Sequence, residues 1–269
     1  MNGELAQVIA LITHGNEFLN SSQREAPELF SSNSTFQYVS DVSFKRATTK
    51  FGFSRKQEVI AHDTRTWFEG QRNAGVKGFR LAFVQLHLEL PQQVAVAFAG
   101  GGNWAIQADA GRTTELWRVK WSVKDQHHPQ RRIWSVEYWG FANYPAQTTF
   151  PKVDEAAKEL EVALSIARSF SEKAGLDVWG GQFMEAIDLL SHASPTIPYH
   201  PDILPAGFQD LSCRQLVASA CKAWVFGGMG SWNDMSFENA SLQKDYEFVT
   251  ARLYQAVMNA FSAVTNSST

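Results

Sequence analysis

Apolar positions change period several times along the first 150 residues. Residues 3–20 set Leu5, Val8, Ile9, Ile12 and Phe18 in a rough helical stripe, which predicts an opening helix. After the Ser/Asn-rich stretch 31–34 the period becomes two. Phe36, Tyr38, Val42 and Phe44 oppose Gln37, Asp41, Ser43 and Lys45, the pattern of a half-buried strand. Residues 55–73 read as a helix with Val59, Ile60, Asp63 and Trp67 near one face. From Phe79 onward Val84, Leu86, Leu88 and Leu90 alternate with Gln85, His87 and Glu89 until Pro91 stops them. Residues 94–99 and 104–109 flank Gly100, Gly101, Gly102 and Asn103, which predicts a hairpin. The plainest strand carries Trp117, Val119, Trp121 and Val123 on one face. Trp134, Val136 and Tyr138 of the next strand pack beside it. Short connections between about six such strands favour an antiparallel meander over βαβ units.

Beyond Pro151 the spacing turns helical. Pro151 and Gly175 bracket a helix with Val153, Ala157, Leu160, Leu164 and Ala167 in register. A shorter helix is expected near 181–193. The loop after it holds Pro195, Pro198, Pro201 and Pro205, too many prolines for a regular helix. Asp210 or Ser212 then caps a helix through Phe226, and Leu242, Tyr246, Val249, Leu253, Val257, Ala260 and Val264 mark the last one. The expected fold is α+β: an N-terminal antiparallel sheet of about six strands packed by C-terminal helices. The whole of 1–269 is read as one domain, strand-rich over 1–150 and helical over 151–269.

Composition changes this picture little. A chain of 269 residues, 44% hydrophobic and rich in Phe and Trp, has ample material for a core. Cys213 and Cys221 lie eight apart in one expected helix, a rise of about 12 Å that exceeds disulfide reach. Buried thiols and a reducing compartment are the expectation. The short apolar run 8–12 comes after an acidic residue, unlike a signal peptide, and no stretch approaches the ~20 apolar residues of a membrane span, so the chain is expected to be soluble and cytoplasmic. Residues 1–150 hold 16 basic against 13 acidic side chains and residues 151–269 hold 8 against 14. This asymmetry permits docking between the halves and leaves homo-oligomerisation open, but it falls short of a nucleic-acid-binding signature. Neither a metal nor a cofactor is expected, and no membrane partner.

The first candidate site is VFGGMGSWNDMSF, residues 225–237. As a joint, Gly227 or Gly228 ends a helix, Gly230 turns the chain, and Asn233 or Asp234 caps a short helical turn. As a site, Gly228 and Gly230 admit close approach while Ser231, Trp232, Asn233 and Asp234 offer an apolar plane with polar contacts. The two readings separate on Trp232 and Asp234: their joint replacement by Ala removes binding alone in one and the fold in the other. Secondary candidates are Gly101, Gly102 and Asn103, as an anion-binding nest or a hairpin turn. His127 and His128 are candidates as bases or as a solvated loop, and Glu137 as a carboxylate with a raised pKa if it faces the core. A basic and aromatic stretch, 44–56, suits either a phosphate backbone or a strand end with its loop. No HExxH, GxSxG or redox motif is present. The leading expectation is therefore a noncatalytic protein that binds a protein or small-molecule ligand through 227–234. The alternative is an enzyme, such as a hydrolase, joining Asp234 or Glu137 with His127 or His128 between sheet and helices.

Overall fold

The structure, a computed structural model, describes residues 1–50, 54–84, 91–98, 100–111 and 113–267, with backbone alone at 47–50 and 54–56. Helix α1 (Gly3–Asn20) is capped by Asn2, whose side chain accepts the Glu4 and Leu5 amides. It lacks a strong polar face because it has none to show solvent. Leu5, Ala6, Val8, Ile9, Ala10, Leu11 and Ile12 are all fully buried, the condition of a helix wrapped on every side. Its buried polar side chains are satisfied by tertiary partners. Gln7 accepts from the Tyr138 hydroxyl at 2.7 Å, Thr13 donates to Ile203 O at 2.9 Å, and Asn16 exchanges two hydrogen bonds with the Phe79 backbone.

Among the described residues six strands form the sheet: β1 (Val39–Lys50), β2 (Ser54–Ala61), β3 (Gly78–Phe83), β4 (Trp104–Asp109), β5 (Thr114–Val123) and β6 (Trp134–Ala142). Their order is β2-β1-β6-β5-β4-β3, antiparallel except where β1 runs parallel to β6. The sheet is thus mostly antiparallel as expected, but it is not a meander. Helix α2 (Thr64–Asn73), capped by Asp63, and the single turn α3 (Gln92–Ala95) lie between strands. The C-terminal helices α4 (Val153–Ala174), α5 (Asp177–Leu189), α6 (Leu211–Lys222) and α7 (Ala240–Asn266) pack on one another, and α7 reaches β3. There the Asn266 side chain accepts Leu81 N at 2.9 Å and donates to Leu81 O at 3.3 Å, extending the edge of the sheet into the helical layer.

Three local expectations are corrected. Residues 54–61 form a strand rather than the first half of a helix, because pairing with β1 gives their backbone a ladder that an isolated helix would not exceed. Residues 94–98 are helical turn, not strand. Phe36 sits in a 3₁₀ turn, Ser34–Phe36, ahead of β1. The expected alternation at 85–90 and the turn at 51–53 lie outside the described residues. Both cysteines are free and buried in α6, with burial pushing the Cys213 thiol up to about 11 and Cys221 up to about 12.

The core between α1 and the sheet is aromatic. Phe44 stacks on Trp67 and Tyr138 at centroid distances of 4.5 and 4.9 Å, and Trp67 stacks on Phe79 at 5.2 Å. Gly15 is where α1 meets this layer. A Cβ there would fall 2.7 Å from Phe68 and 2.8 Å from Phe79, well inside contact distance. Gly15→Ala is therefore expected to destabilise the fold by about 1–3 kcal/mol through overpacking, despite the better helix propensity of Ala. Urea unfolding followed by circular dichroism measures it.

Candidate functional site

The alternation that builds the core face of β5 and β6 continues past the end of its cover. In register, Trp117 faces Gly140, Val119 faces Tyr138, Trp121 faces Val136 and Val123 faces Trp134. Exposure rises along this row. Trp117 and Tyr138 are fully buried, Trp121 and Trp134 are half-buried, and Val123 is largely exposed. The two half-buried indoles, 5.7 Å apart and inclined at 56°, form one wall of a cleft of about 600 Å³. The first turn of α1, with Met1, Asn2, Gly3 and Glu4, makes its floor. Ser34, Thr35, Gln37 and Tyr38 close one side, Ala97 and Phe98 another, and Tyr199 and His200 from the proline-rich loop complete it. Tyr38, Phe98 and Tyr199 are among the most exposed aromatic side chains of the described residues. Tyr199 holds φ at +67°, a left-handed conformation that a bulky side chain rarely adopts.

Glu4 is the cleft's carboxyl, only 7% exposed. Gly100 N donates to its Oε1 at 3.3 Å, and among the described residues no hydrogen bond reaches its Oε2. Burial holds its pKa above the ordinary carboxylate value, against the opposing effect of the Gly100 amide. Across the cleft, Ser34 Oγ lies 3.1 Å from His200 Nδ1 and also donates to Asp202 Oδ1, while Ser34 N donates to Asp202 Oδ2 at 2.9 Å. Burial lowers the pKa of His200, with Asp202 opposing. Burial likewise lowers that of the Met1 amino group.

A second, shallower recess of about 480 Å³ adjoins the first and shares Met1, Asn2, Ala97 and Tyr199 with it. Its far side is the glycine-rich loop, residues Gly227, Gly228, Met229, Gly230 and Ser231. Gly228 and Gly230 are exposed, and Gly230 holds φ at +77°. Trp232, however, is fully buried. Its Nε1 donates to Thr250 Oγ1 at 2.7 Å, its carbonyl accepts the Tyr246 hydroxyl at 2.6 Å, and Phe183, Trp179, Tyr246 and Phe170 surround it at 5.1–6.0 Å. The expected ligand platform is thus corrected to a core wedge. Ser231 caps the 3₁₀ turn Trp232–Asp234. Asn233 donates to Gln93 O at 2.7 Å, and Asp234 accepts Gly230 N at 2.8 Å.

The secondary candidates sit apart from the cleft or brace it. Gly101 is pinned against backbone, since a Cβ there would lie 1.7 Å from Ala95 O. At Gly102 a Cβ would lie 2.1 Å from the Trp104 ring, so both glycines answer to packing. The amide beside them, Gly100 N, meets an anion belonging to the protein itself, Glu4. Asn103 O accepts Val84 N at 2.7 Å. His127 and His128 occupy the β5–β6 loop, His127 exposed and His128 half-buried. Their contacts are local: His127 N donates to Asp125, and His128 Nδ1 accepts Gln130 N. Glu137 faces away from the core and pairs with Lys45, whose hydrogen bond holds its carboxyl below the ordinary value, the reverse of the raised pKa considered for a core-facing side chain. Asp234, Glu137 and the two histidines therefore have separate partners and are not brought together. In the basic stretch, Lys45 and Arg46 are paired with Glu137 and Glu115. Among the described residues no helix is long and apolar enough to cross a membrane, and no cluster of His, Cys, Asp and Glu could hold a metal.

Comparison with known proteins adds no family: no family model, curated protein or solved structure matches the chain. The cleft residues are hidden from sequence reasoning because they come from six separated segments. The legible signal was the excess of indole on β5 and β6 beyond what a helix layer could cover.

Two outcomes are expected. Trp232→Ala should cost about 3–5 kcal/mol, whereas Met229→Ala, 96% exposed on the same loop, should stay within about 0.5 kcal/mol by urea denaturation. Because Glu4 binds its proton more tightly when folded, its favourable contribution is present below the unfolded-state pKa and is lost as pH rises through the raised native value. Gly100 N and the Tyr138 phenol face it, and His200, Tyr38, Tyr199 and the Met1 amine line the same cleft. Glu4→Gln should therefore gain stability relative to the native chain as pH rises from the unfolded-state pKa through the raised native value, seen as a difference in urea midpoint that grows over that interval and is constant above it.

Proposed function

We propose that this protein binds a small molecule without transforming it, and that the ligand occupies the cleft at the start of α1, with the 227–231 loop as the rim of the adjoining recess. The carrying observation is the cleft itself: about 600 Å³, walled by Trp121, Trp134, Tyr38, Phe98 and Tyr199, with one buried carboxyl. That volume lies within the ordinary range of ligand sites, roughly 300–1,000 Å³, and the balance of apolar wall to few polar groups is typical of them. This keeps binding as the leading reading and moves its centre from Trp232 to the aromatic cleft.

A hydrolase reading on residues other than Asp234, Glu137, His127 and His128 has one observation in its favour, the 3.1 Å approach of Ser34 Oγ to His200 Nδ1. Two features weigh against it. The Ser34 hydroxyl donates directly to Asp202, so the imidazole does not stand between hydroxyl and carboxylate as a relay requires. Asp202 also takes the Ser34 amide, and its own carbonyl accepts Asn33 Nδ2 at 2.7 Å, which is the pattern of a braced turn.

A neutral apolar fluorophore, N-phenyl-1-naphthylamine, tests the binding reading. Saturable binding at one equivalent is expected, with quenching of the cleft indoles, and Ala97→Trp should abolish it by filling the space shared by both recesses. Unaltered binding in that variant places the probe elsewhere and defeats the reading. Turnover of p-nitrophenyl acetate that vanishes in Ser34→Ala would replace it with the hydrolase.

A further inference from the structure

We propose that the ligand of this cleft is a methylated organic ammonium ion, held by the faces of Trp121 and Trp134 and neutralised by Glu4. The inference rests on the cleft being the ligand site and adds the chemical class of the ligand.

The lining residues include no lysine or arginine, and Glu4 is their one acidic side chain. A cation entering there meets a single acidic side chain and five aromatic side chains, whose π-faces attract cations. The rings also lack what other ligands need. An inorganic anion would have to be held by cationic side chains, and none lines the cleft. The Met1 amine and His200 are the basic groups among the lining residues, and burial lowers the pKa of both, the Met1 amine adding to the effect at His200. A primary ammonium needs three acceptors, whereas Oε2 of Glu4 is the carboxylate oxygen without a hydrogen bond among the described residues. A trimethylammonium group needs none. It spreads its charge over methyl surface that fits an aromatic wall and requires only a nearby carboxylate, so it matches both halves of the site.

Glu4 is suited to this part by its position. The first turn of α1 keeps it at the floor, and the Gly100 amide occupies one oxygen and so orients the carboxyl. A bound cation replaces the solvation that burial removes, which favours the ionised carboxylate and couples binding to its charge.

The test is calorimetric titration of the full chain with choline and benzyltrimethylammonium, each paired with its uncharged carbon isostere, 3,3-dimethylbutan-1-ol and 2,2-dimethylpropylbenzene. Each cation is expected to bind about tenfold or more tightly than its isostere. Glu4→Gln should remove most of that gap by weakening the cation alone. Trp134→Leu, which keeps the wall apolar and removes the ring, should give the same selective loss, so the proposal stays testable if the Glu4 variant folds poorly. Isosteres that bind as well as the cations, with both lost in Ala97→Trp, overturn the ammonium ion and leave the cleft as a ligand site. A cation preference that persists in Ala97→Trp places the cations outside the cleft and overturns the proposal. Failure of cations, isosteres and the neutral naphthyl probe together overturns both readings.

Discussion

Everything else in this molecule is arranged around a helix that touches almost no water. From Leu5 to Ile12 every side chain of α1 is buried, so the sheet on one side and the C-terminal helices beyond it must both close on the same cylinder. Such a helix cannot be oriented by an apolar stripe, because rotation about its axis would exchange one buried face for another. Its orientation is fixed instead by polar side chains that each reach a partner outside the helix: Gln7 to Tyr138, Thr13 to Ile203, Asn16 to Phe79. A buried amide turned away from its partner forfeits a hydrogen bond and keeps the desolvation cost, about 1–3 kcal/mol, which makes these contacts the rotational lock. Gly15 adds a distance constraint, since the aromatic layer can approach only where a Cβ is missing.

The cleft is a consequence of that arrangement. Locking α1 places its first turn at the end of the aromatic row on β5 and β6, and there the helix ends while the strands continue. Indoles that would have packed under another turn of helix are left facing a gap. The single carboxyl at the floor belongs to the same turn, where the partial positive charge of the helix N-terminus favours it even as burial raises its pKa. Charges on the sheet are paired on both faces, Lys45 with Glu137 on the outer one and Arg46 with Glu115 beside Trp117 on the core side, on partly exposed side chains. Pairs of that kind add little stability.

Local periodicity was enough to read α1, α4, α7, β4, β5 and β6, because each carries its own apolar spacing. It failed where a distant partner decided the outcome. Residues 54–61 have a helix-compatible polar and apolar order, and their strand exists because β1 offers a ladder. The parallel contact between β1 and β6, and hence the strand order, joins segments nearly a hundred residues apart and leaves no trace in either. The site failed for the same reason in sharper form. Gly228 to Asp234 looked complete because its residues are adjacent. The cleft gathers Glu4, Ser34, Phe98, Trp121 and His200, none of them distinctive alone.

The glycine-rich loop shows why adjacency misled. Glycines beside an indole are compatible with an exposed platform, but they serve equally when a chain must turn sharply enough to drive a large side chain inward. Gly230 in the left-handed region provides the turn, Asp234 closes it on the Gly230 amide, and Trp232 is thereby directed among Phe170, Trp179, Phe183 and Tyr246. The wedge ties α4, α5 and α7 together, and its neighbours Gly227 to Ser231 are left as the outer wall of the recess that adjoins the cleft. The loop thus bears on the proposed site through placement: the same turn that sends the indole into the helical layer sets the far side of the recess that Met1, Asn2 and Tyr199 also line.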